Sequence, residues 1–135
     1  MAWITAMYAR LKDEENSYIC FKSFMKNSTS KVGLDLHPPF QIDGNFGIVA
    51  AIKEMLIYDE EGYIEVFPAK PKEIQSLQFS NVLLKGNLML SLDYQNGKLK
   101  IMIEAMHSTP LEIKAFGKTR MVSINPGKNE FEIEE

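Results

Sequence analysis

The segment His37–Gly47 has the sequence HPPFQIDGNFG and carries more information than any other stretch of the chain. It combines a histidine, two prolines, a glutamine, an aspartate and an asparagine with two glycines. The prolines restrict φ and remove backbone donors, and Asp43-Gly44 is typical of a turn. Because an apolar run from Phe46 to Ile57 follows directly, the segment indicates a rigid loop that presents a carboxylate at the start of a helix.

Helices are predicted on both sides of this segment. Apolar residues in 2–26 recur at helical spacing, and Asp13–Asn16 is typical of a short connection between two helices. Residues 27–45 are predicted as a long loop, a feature that usually carries function in a compact domain. The helix from Phe46 to about Tyr58 is apolar around most of its circumference, so we expect it to be buried on more than one side.

The apolar period changes from helical to two after Gly62, which predicts β-strands. Asn96-Gly97 lies between two alternating runs, and this is the strongest local signal for a hairpin. Further strands are predicted at 63–67, 111–116, 120–124 and 131–133. The sequence therefore predicts an α+β protein with a helical domain over 1–62 and a small antiparallel β-sandwich over 63–135.

Composition excludes several classes of partner. The chain has 135 residues and a net charge of −3, and its basic residues are scattered, so we expect no nucleic-acid partner. No apolar run reaches the roughly 20 residues of a membrane span, so no membrane partner is expected. With a single cysteine and two widely separated histidines, we predict no metal and no cofactor.

The His37–Gly47 segment resembles the C-terminal part of family 95 glycoside hydrolases, the inverting α-L-fucosidases and their α-L-galactosidase relatives. The resemblance extends to Trp3-x-x-Ala6, Ala9-Arg10-Leu11, Ala50-Ala51-Ile52, Glu54-Met55-Leu56, Gly62-x-Ile64, Pro68-Ala69-x-Pro71 and Gly97-Lys98-Leu99. It implies that the helices are the last ones of an (α/α)6 catalytic barrel and that the C-terminal β-domain follows them. Independently of the family, three such helices are too few to bury their own apolar surface, which indicates the tail of a larger fold.

The resemblance also implies an activity, the hydrolysis of terminal fucose from a fucosylated oligosaccharide, and a catalytic role for Asp43. In the family this aspartate activates the hydrolytic water together with upstream asparagines. Those asparagines and the general-acid glutamate have no counterpart in this chain. We therefore expect the isolated chain to be inactive and the remainder of the barrel to be its partner.

The chemistry of Asp43 agrees with such a role. Inverting hydrolysis needs an acid and a base whose carboxyl groups are roughly 6.5–9.5 Å apart, with a water beside the base. A carboxylate just ahead of a helix is stabilised in its ionised form by the helix dipole and by free N–H groups. Asp43 therefore suits the base better than the acid.

Three other residues of the segment are candidates for sugar binding. His37, Gln41 and Asn45 carry donors and acceptors of the kind that bind sugar hydroxyls. For His37 a structural bond to backbone carbonyls is an equal alternative, and for Asn45 a helix cap is. We expect the aromatic residues Trp3, Phe40 and Phe46 to pack in the core rather than against a sugar.

A second hypothesis belongs to another class of protein. Residues 63–135 would form a stand-alone β-sandwich that serves as an interaction or carbohydrate-binding module, as such sandwiches often do. This stretch contains no tryptophan for a sugar platform, which disfavours the carbohydrate-binding version.

Overall fold

The computed structural model of the protein describes residues 1–36 and 42–135, and in these ranges the chain forms three helices and eight strands. The helices are α1 (Ala2–Arg10), α2 (Glu14–Asn27) and α3 (Ile42–Leu56). The strands are β1 (Ile57–Glu60), β2 (Tyr63–Val66), β3 (Ser76–Leu84), β4 (Leu88–Gln95), β5 (Lys98–Ala105), β6 (Thr109–Ala115), β7 (Lys118–Ile124) and β8 (Gly127–Glu134). The predicted α+β class is confirmed. Two compact units result, Met1–Ile57 with Phe67–Pro71 and Tyr58–Val66 with Lys72–Glu135.

The connection between α1 and α2 is as short as the sequence predicts. Lys12 adopts a left-handed conformation with φ 59°, and the Asp13 N–H donates to the Tyr8 carbonyl over 3.0 Å, which closes the end of α1. The Asp13 side chain then caps α2, since its Oδ1 accepts from the Asn16 N–H at 3.0 Å. Hydrogen bonds from the Asn16 side chain and backbone lower the pKa of Asp13.

Small residues allow α1 and α3 to pack closely in the helical unit. A Cβ placed on Gly47 of α3 would lie 3.2 Å from the Ala2 Cβ of α1, so these helices approach closely. One buried cluster contains Ala2, Phe24, Ile48 and Ala51, and a second contains Ala9, Met55 and Ala69. Ala69 belongs to the returning segment Phe67–Pro71, whose Ala69 N–H donates to the Met55 carbonyl at 3.1 Å.

Both ends of α3 differ from the prediction. The helix begins at Ile42, so the predicted loop 27–45 ends four residues too late. It stops at Leu56, and Ile57–Glu60 forms strand β1, although the helix was predicted to continue to about Tyr58. Tertiary pairing overrides local preference here, because β1 joins a sheet and the Asp59 carboxylate accepts from the Lys85 N–H at 2.8 Å.

The strands form two four-stranded sheets, with the orders β1-β2-β6-β7 and β3-β4-β5-β8. The predicted hairpin is confirmed, since Asn96 and Gly97 have φ values of 49° and 83° between β4 and β5. Strand β3 was not predicted. Its alternation is interrupted by a bulge between Phe79 and Val82, where Asn81 has φ 61°.

One strand pair departs from the antiparallel prediction. Strands β2 and β6 are parallel, from Tyr63 opposite Glu112 to Val66 opposite Ala115. A parallel pair needs a long crossover, and here the whole of β3–β5 lies between the two strands. The strand pairs β3-β4, β4-β5, β5-β8 and β6-β7 are antiparallel.

The alternation read from the sequence places one face of each sheet in the interior. Strand β4 buries Leu88, Leu90, Leu92 and Tyr94, and β5 buries Leu99, Ile101, Ile103 and Ala105. Leu111, Ile113 and Ala115 do the same on β6 of the other sheet. The rings of Tyr94 and Phe116 lie 5.9 Å apart and link the two sheets, which agrees with a small β-sandwich.

We predict that Gly97→Ala lowers the free energy of unfolding by about 1–2 kcal/mol, the cost of a left-handed residue with a Cβ. The loss would come from backbone conformation, because the new Cβ would meet nothing nearer than the Glu135 Cβ at 3.7 Å. Urea unfolding followed by circular dichroism measures it. Asn96→Gly is the matched control and should change stability little, and equal stability of Gly97→Ala and the parent would contradict the prediction.

Candidate functional site

The candidate site lies in the first turn of α3, at Asp43, Gly44 and Asn45. Of the four residues that the sequence singles out, the structure describes Asp43 and Asn45. His37 and Gln41 lie outside the described residues, as does Phe40. The surroundings of the site are built by α3, by α1, and by residues 28–36 ahead of the segment.

Asp43 is exposed and is the second residue of α3. The positive end of the helix dipole favours a negative charge at this position. Phe46 follows three residues later, so the two side chains lie on the same face of the helix. A carboxylate held at a helix start and open to the surroundings is suited to bind and activate a water.

Asn45 is used to hold the preceding loop. Its Oδ1 accepts a hydrogen bond of 2.9 Å from the backbone N–H of Asp35. The alternative that Asn45 is a helix cap is wrong, because Asn45 is the fourth residue of α3. An amide group has further donor and acceptor capacity, so a role in sugar binding stays a prediction.

Asp35 is the residue of this site that sequence reasoning missed. It is only 7% exposed, although aspartate is seldom buried. A Cβ placed on Gly44 would lie 1.9 Å from Asp35 Oδ2, so the carboxylate occupies the space beside this glycine. The sequence feature that could have identified it is a single acidic residue between Leu34 and Leu36, two positions before His37.

Gly44 is therefore needed for a close approach rather than for a turn. It lies inside α3, and its φ is not positive. The turn predicted at Asp43-Gly44 is wrong for this reason. Glycine lets the Asp35 carboxylate lie beside the backbone of the first turn, a position from which any Cβ on residue 44 would displace it.

Residues 28–36 form a closed loop that returns Asp35 to α3. The Leu36 N–H donates to the Ser28 carbonyl at 2.8 Å, and Thr29 and Asp35 form a β-bridge. At the tip, the Ser30 N–H donates to the Leu34 carbonyl at 2.7 Å. This part of the predicted long loop is thus held by backbone hydrogen bonds.

Two aromatic residues do not lie where the sequence places them. Trp3 is 67% exposed and Phe46 is 68% exposed, so the expectation of core packing is wrong for both in this chain. The buried residues are Ala2, Thr5 and Ala9 on α1 and Ile48, Ala51 and Met55 on α3. Trp3, Met7, Leu11, Ile42, Phe46 and Val49 are all exposed, and we call these six residues the exposed apolar set.

An ion pair joins two of the motifs that carry the family resemblance. Arg10 at the end of α1 binds Glu54 of α3 through two hydrogen bonds, Nε to Oε2 at 2.5 Å and Nη2 to Oε1 at 2.9 Å. Such a two-pronged contact fixes direction as well as distance. It fastens α1 to the last turn of α3, whereas Asp43 lies in the first turn of that helix.

A shallow groove of about 500 Å³ lies on the second sheet. Asp93, Gln95, Lys100 and Glu132 are among its lining residues, and no aromatic ring is among the described residues that line it. It therefore lacks a stacking platform for sugars. Over 1–36 and 42–135, no cluster of His, Cys, Asp and Glu is suited to a metal ion, and no helix has the length and apolar character to cross a membrane.

Comparison with known proteins finds one enzyme family that the helical part of the chain is similar to. Residues 1–56 match the model described as the glycosyl hydrolase family 95 catalytic domain. The chain is 30% identical over 109 residues to alpha-L-fucosidase 2 of Arabidopsis thaliana, which covers 72% of this chain and 13% of that protein. It is 36% identical over 62 residues to "Probable alpha-fucosidase A" of Aspergillus niger, which covers 44% of this chain and 8% of that protein. The resemblance drawn from the motifs is confirmed, and the chain spans a small part of these relatives.

The fold has a counterpart among solved structures. A protein described as a kojibiose phosphorylase from the human microbiome superposes with a TM-score of 0.53 at 15% identity. The match covers 96% of this chain and 17% of that protein. At this identity the likeness shows the fold alone.

We predict that the Arg10–Glu54 pair contributes about 0.5–1 kcal/mol to the stability of the helical unit, since Arg10 is largely exposed. A double-mutant cycle with Arg10→Ala and Glu54→Ala measures the coupling in urea unfolding. Arg10→Lys is the control that keeps the charge but not the paired geometry, and it should lose part of the coupling. A coupling energy of zero would show that the pair does not fasten the two helices.

Proposed function

We propose that this chain, whose helical residues 1–56 belong to the glycosyl hydrolase family 95 catalytic domain, supplies the general base of a fucosidase-like glycoside hydrolase. The substrate is a glycan with terminal fucose, in keeping with the two relatives named as fucosidases. The observation that carries the proposal is the position of Asp43, exposed at the positive end of α3 within the family segment.

In this proposal Asp43 takes a proton from the water that attacks the sugar. Inversion requires that water on the face opposite the leaving group, between the base and a general acid. The acid and the asparagines that assist the base come from the rest of the catalytic domain. His37, Gln41 and Asn45 bind hydroxyl groups of the sugar and hold it next to Asp43.

The partner of the helical unit is the remainder of the catalytic barrel. The exposed apolar set supports this, because six large apolar side chains of α1, its C-cap and α3 lie open on the unit. Helices buried on several sides belong in the interior of a larger helical domain. The barrel would cover these side chains and place its acid across the sugar from Asp43.

The isolated chain is then inactive. It lacks the general acid, which alone contributes about 10²–10⁴-fold to the rate. It also lacks most of the walls that would enclose a sugar. The alternative, a stand-alone β-sandwich module, would bind fucosyl oligosaccharides without any barrel, and titration of the isolated chain with them separates the two hypotheses.

Activity has to be measured on the assembled protein, which we define as this chain together with the remaining family 95 catalytic-domain sequence from the same genome. DNA around the Met1 codon is read in frame first, and then the rest of the genome is searched. The two parts are produced together. If no such sequence exists, the hydrolase proposal falls and the module hypothesis takes its place.

We predict that Asp43→Asn lowers kcat of the assembled protein for fucose release by about 10²–10⁴-fold, because the amide cannot accept the proton of the water. Released fucose is quantified against a buffer blank. Glu15→Gln, an exposed charge removal at the start of α2, is the control and should retain full activity. Retained activity in Asp43→Asn would remove Asp43 from the mechanism.

We predict that Trp3→Ser destabilises the assembled protein by about 3 kcal/mol, the cost of deleting a buried large side chain. The same change should have little effect in the isolated chain, where Trp3 is already exposed. Thermal unfolding of both forms measures the difference. Met121→Ser on β7 is the matched control, since Met121 is similarly exposed but outside the helical unit. An equal effect in the two forms would refute docking through this surface.

A further inference from the structure

Asp35 is a buried acidic residue beside the first turn of α3, where the candidate site lies. Its carboxylate is buried beside Gly44, and its backbone N–H is bound by the Asn45 side chain at 2.9 Å. Gly44 and Asn45 are the two residues that follow Asp43. Asp35 therefore meets the first turn of α3 in two ways: its side chain lies beside Gly44, and its backbone N–H donates to the Asn45 side chain.

The contact with Gly44 is close. A Cβ on residue 44 would meet Asp35 Oδ2 at 1.9 Å and Asp35 Cγ at 3.0 Å, so a larger residue there would force the Asp35 side chain to move. The Asp35 carboxylate can keep its present position only while residue 44 is a glycine. The negative charge lies at the end of the helix where the dipole is positive, which favours it.

We propose that Asp35 is a positioning residue for Asp43. The Asp35 carboxylate and N–H hold the first turn of α3, and the backbone of that turn sets the direction of the exposed Asp43 side chain. This inference rests on the proposed role of Asp43 as the base. A base has to be within hydrogen-bond reach of the water it activates, so a shift in this turn would reach the reaction without any contact between Asp35 and substrate.

The loop 28–36 supplies the rigidity that such a role needs. Its backbone hydrogen bonds and the Thr29–Asp35 bridge carry Asp35 on a short closed frame that begins at the end of α2. Ser28 is the C-cap of α2, and its N–H donates to the Phe24 carbonyl at 2.9 Å. Helix α2 is thereby connected to the position of Asp43 through Asp35.

The first test is made on this chain and does not depend on activity. Asp35→Asn keeps the shape of the side chain but replaces one acceptor oxygen with a donor. We expect NMR order parameters of Asp43, Gly44 and Asn45 to fall from about 0.85 towards about 0.6. Asp13→Asn, the same change at the cap of α2, is the matched control and should loosen the start of α2 only. Unchanged order parameters in Asp35→Asn would overturn the proposal.

The second test is made on the assembled protein. We expect Asp35→Asn to lower kcat by about 10²-fold with little change in KM, since a small displacement of a catalytic group costs about that much. The effect should vanish in the Asp43→Asn background, because a positioning residue acts only through the residue it positions. A loss of the same size in both backgrounds, or a full kcat in Asp35→Asn, would overturn the proposal.

Gly44→Ala provides a second variant that perturbs the same contact from the other side. It should reproduce the kcat loss and the loosened turn, while circular dichroism shows whether the helices are retained. If the wild-type assembled protein releases no fucose, the proposed function fails and the catalytic part of this inference fails with it. If it releases fucose and Asp35→Asn is fully active, only the role of Asp35 is wrong.

Discussion

The close approach of α1 and α3 is the constraint on which the helical unit depends. Alanine and glycine occupy the contact, with a Cβ on Gly47 only 3.2 Å from that of Ala2. Helix α3 also buries Ile48 and Met55, whereas the aromatic side chains of both helices, Trp3 and Phe46, are exposed. Large aromatic side chains are usually well buried in a folded domain. Their exposure here supports the proposal that these helices pack within a larger helical domain.

The candidate site lies in the first turn of α3, one of these two closely packed helices. The Asp35 carboxylate lies beside Gly44, and the Asp35 N–H donates to the Asn45 side chain; Gly44 and Asn45 directly follow Asp43 in the chain. These contacts involve the backbone of the turn, whereas the Asp43 side chain is exposed. Catalytic groups need such support, because their orientation has to be held closely during reaction. Arg10 and Glu54 fasten the same helix near its other end.

The sequence predicted those elements that depend on neighbours along the chain. The Asn96-Gly97 hairpin, the alternation of β4 and β5, and the short connection at Asp13 all follow from local rules, and all are confirmed. The unpredicted elements depend on distant partners. Strand β1 forms from residues that read as a helix end, and β3 is obscured by its bulge. The parallel pair β2-β6 closes only after the chain has built three strands of the other sheet.

The candidate site divides in the same way. The segment His37–Gly47 by itself carried the family resemblance and singled out Asp43, because a rare combination of residue types can be recognised without knowledge of the fold. The tertiary structure decided that Gly44 serves a close contact, that Asn45 holds a loop, and that Asp35 belongs to the site. These roles come from contacts between residues nine and ten positions apart, and the residue types alone do not show which of them meet. The residue types determine which chemical groups are available, whereas the positions of these groups relative to one another depend on contacts that form only on folding.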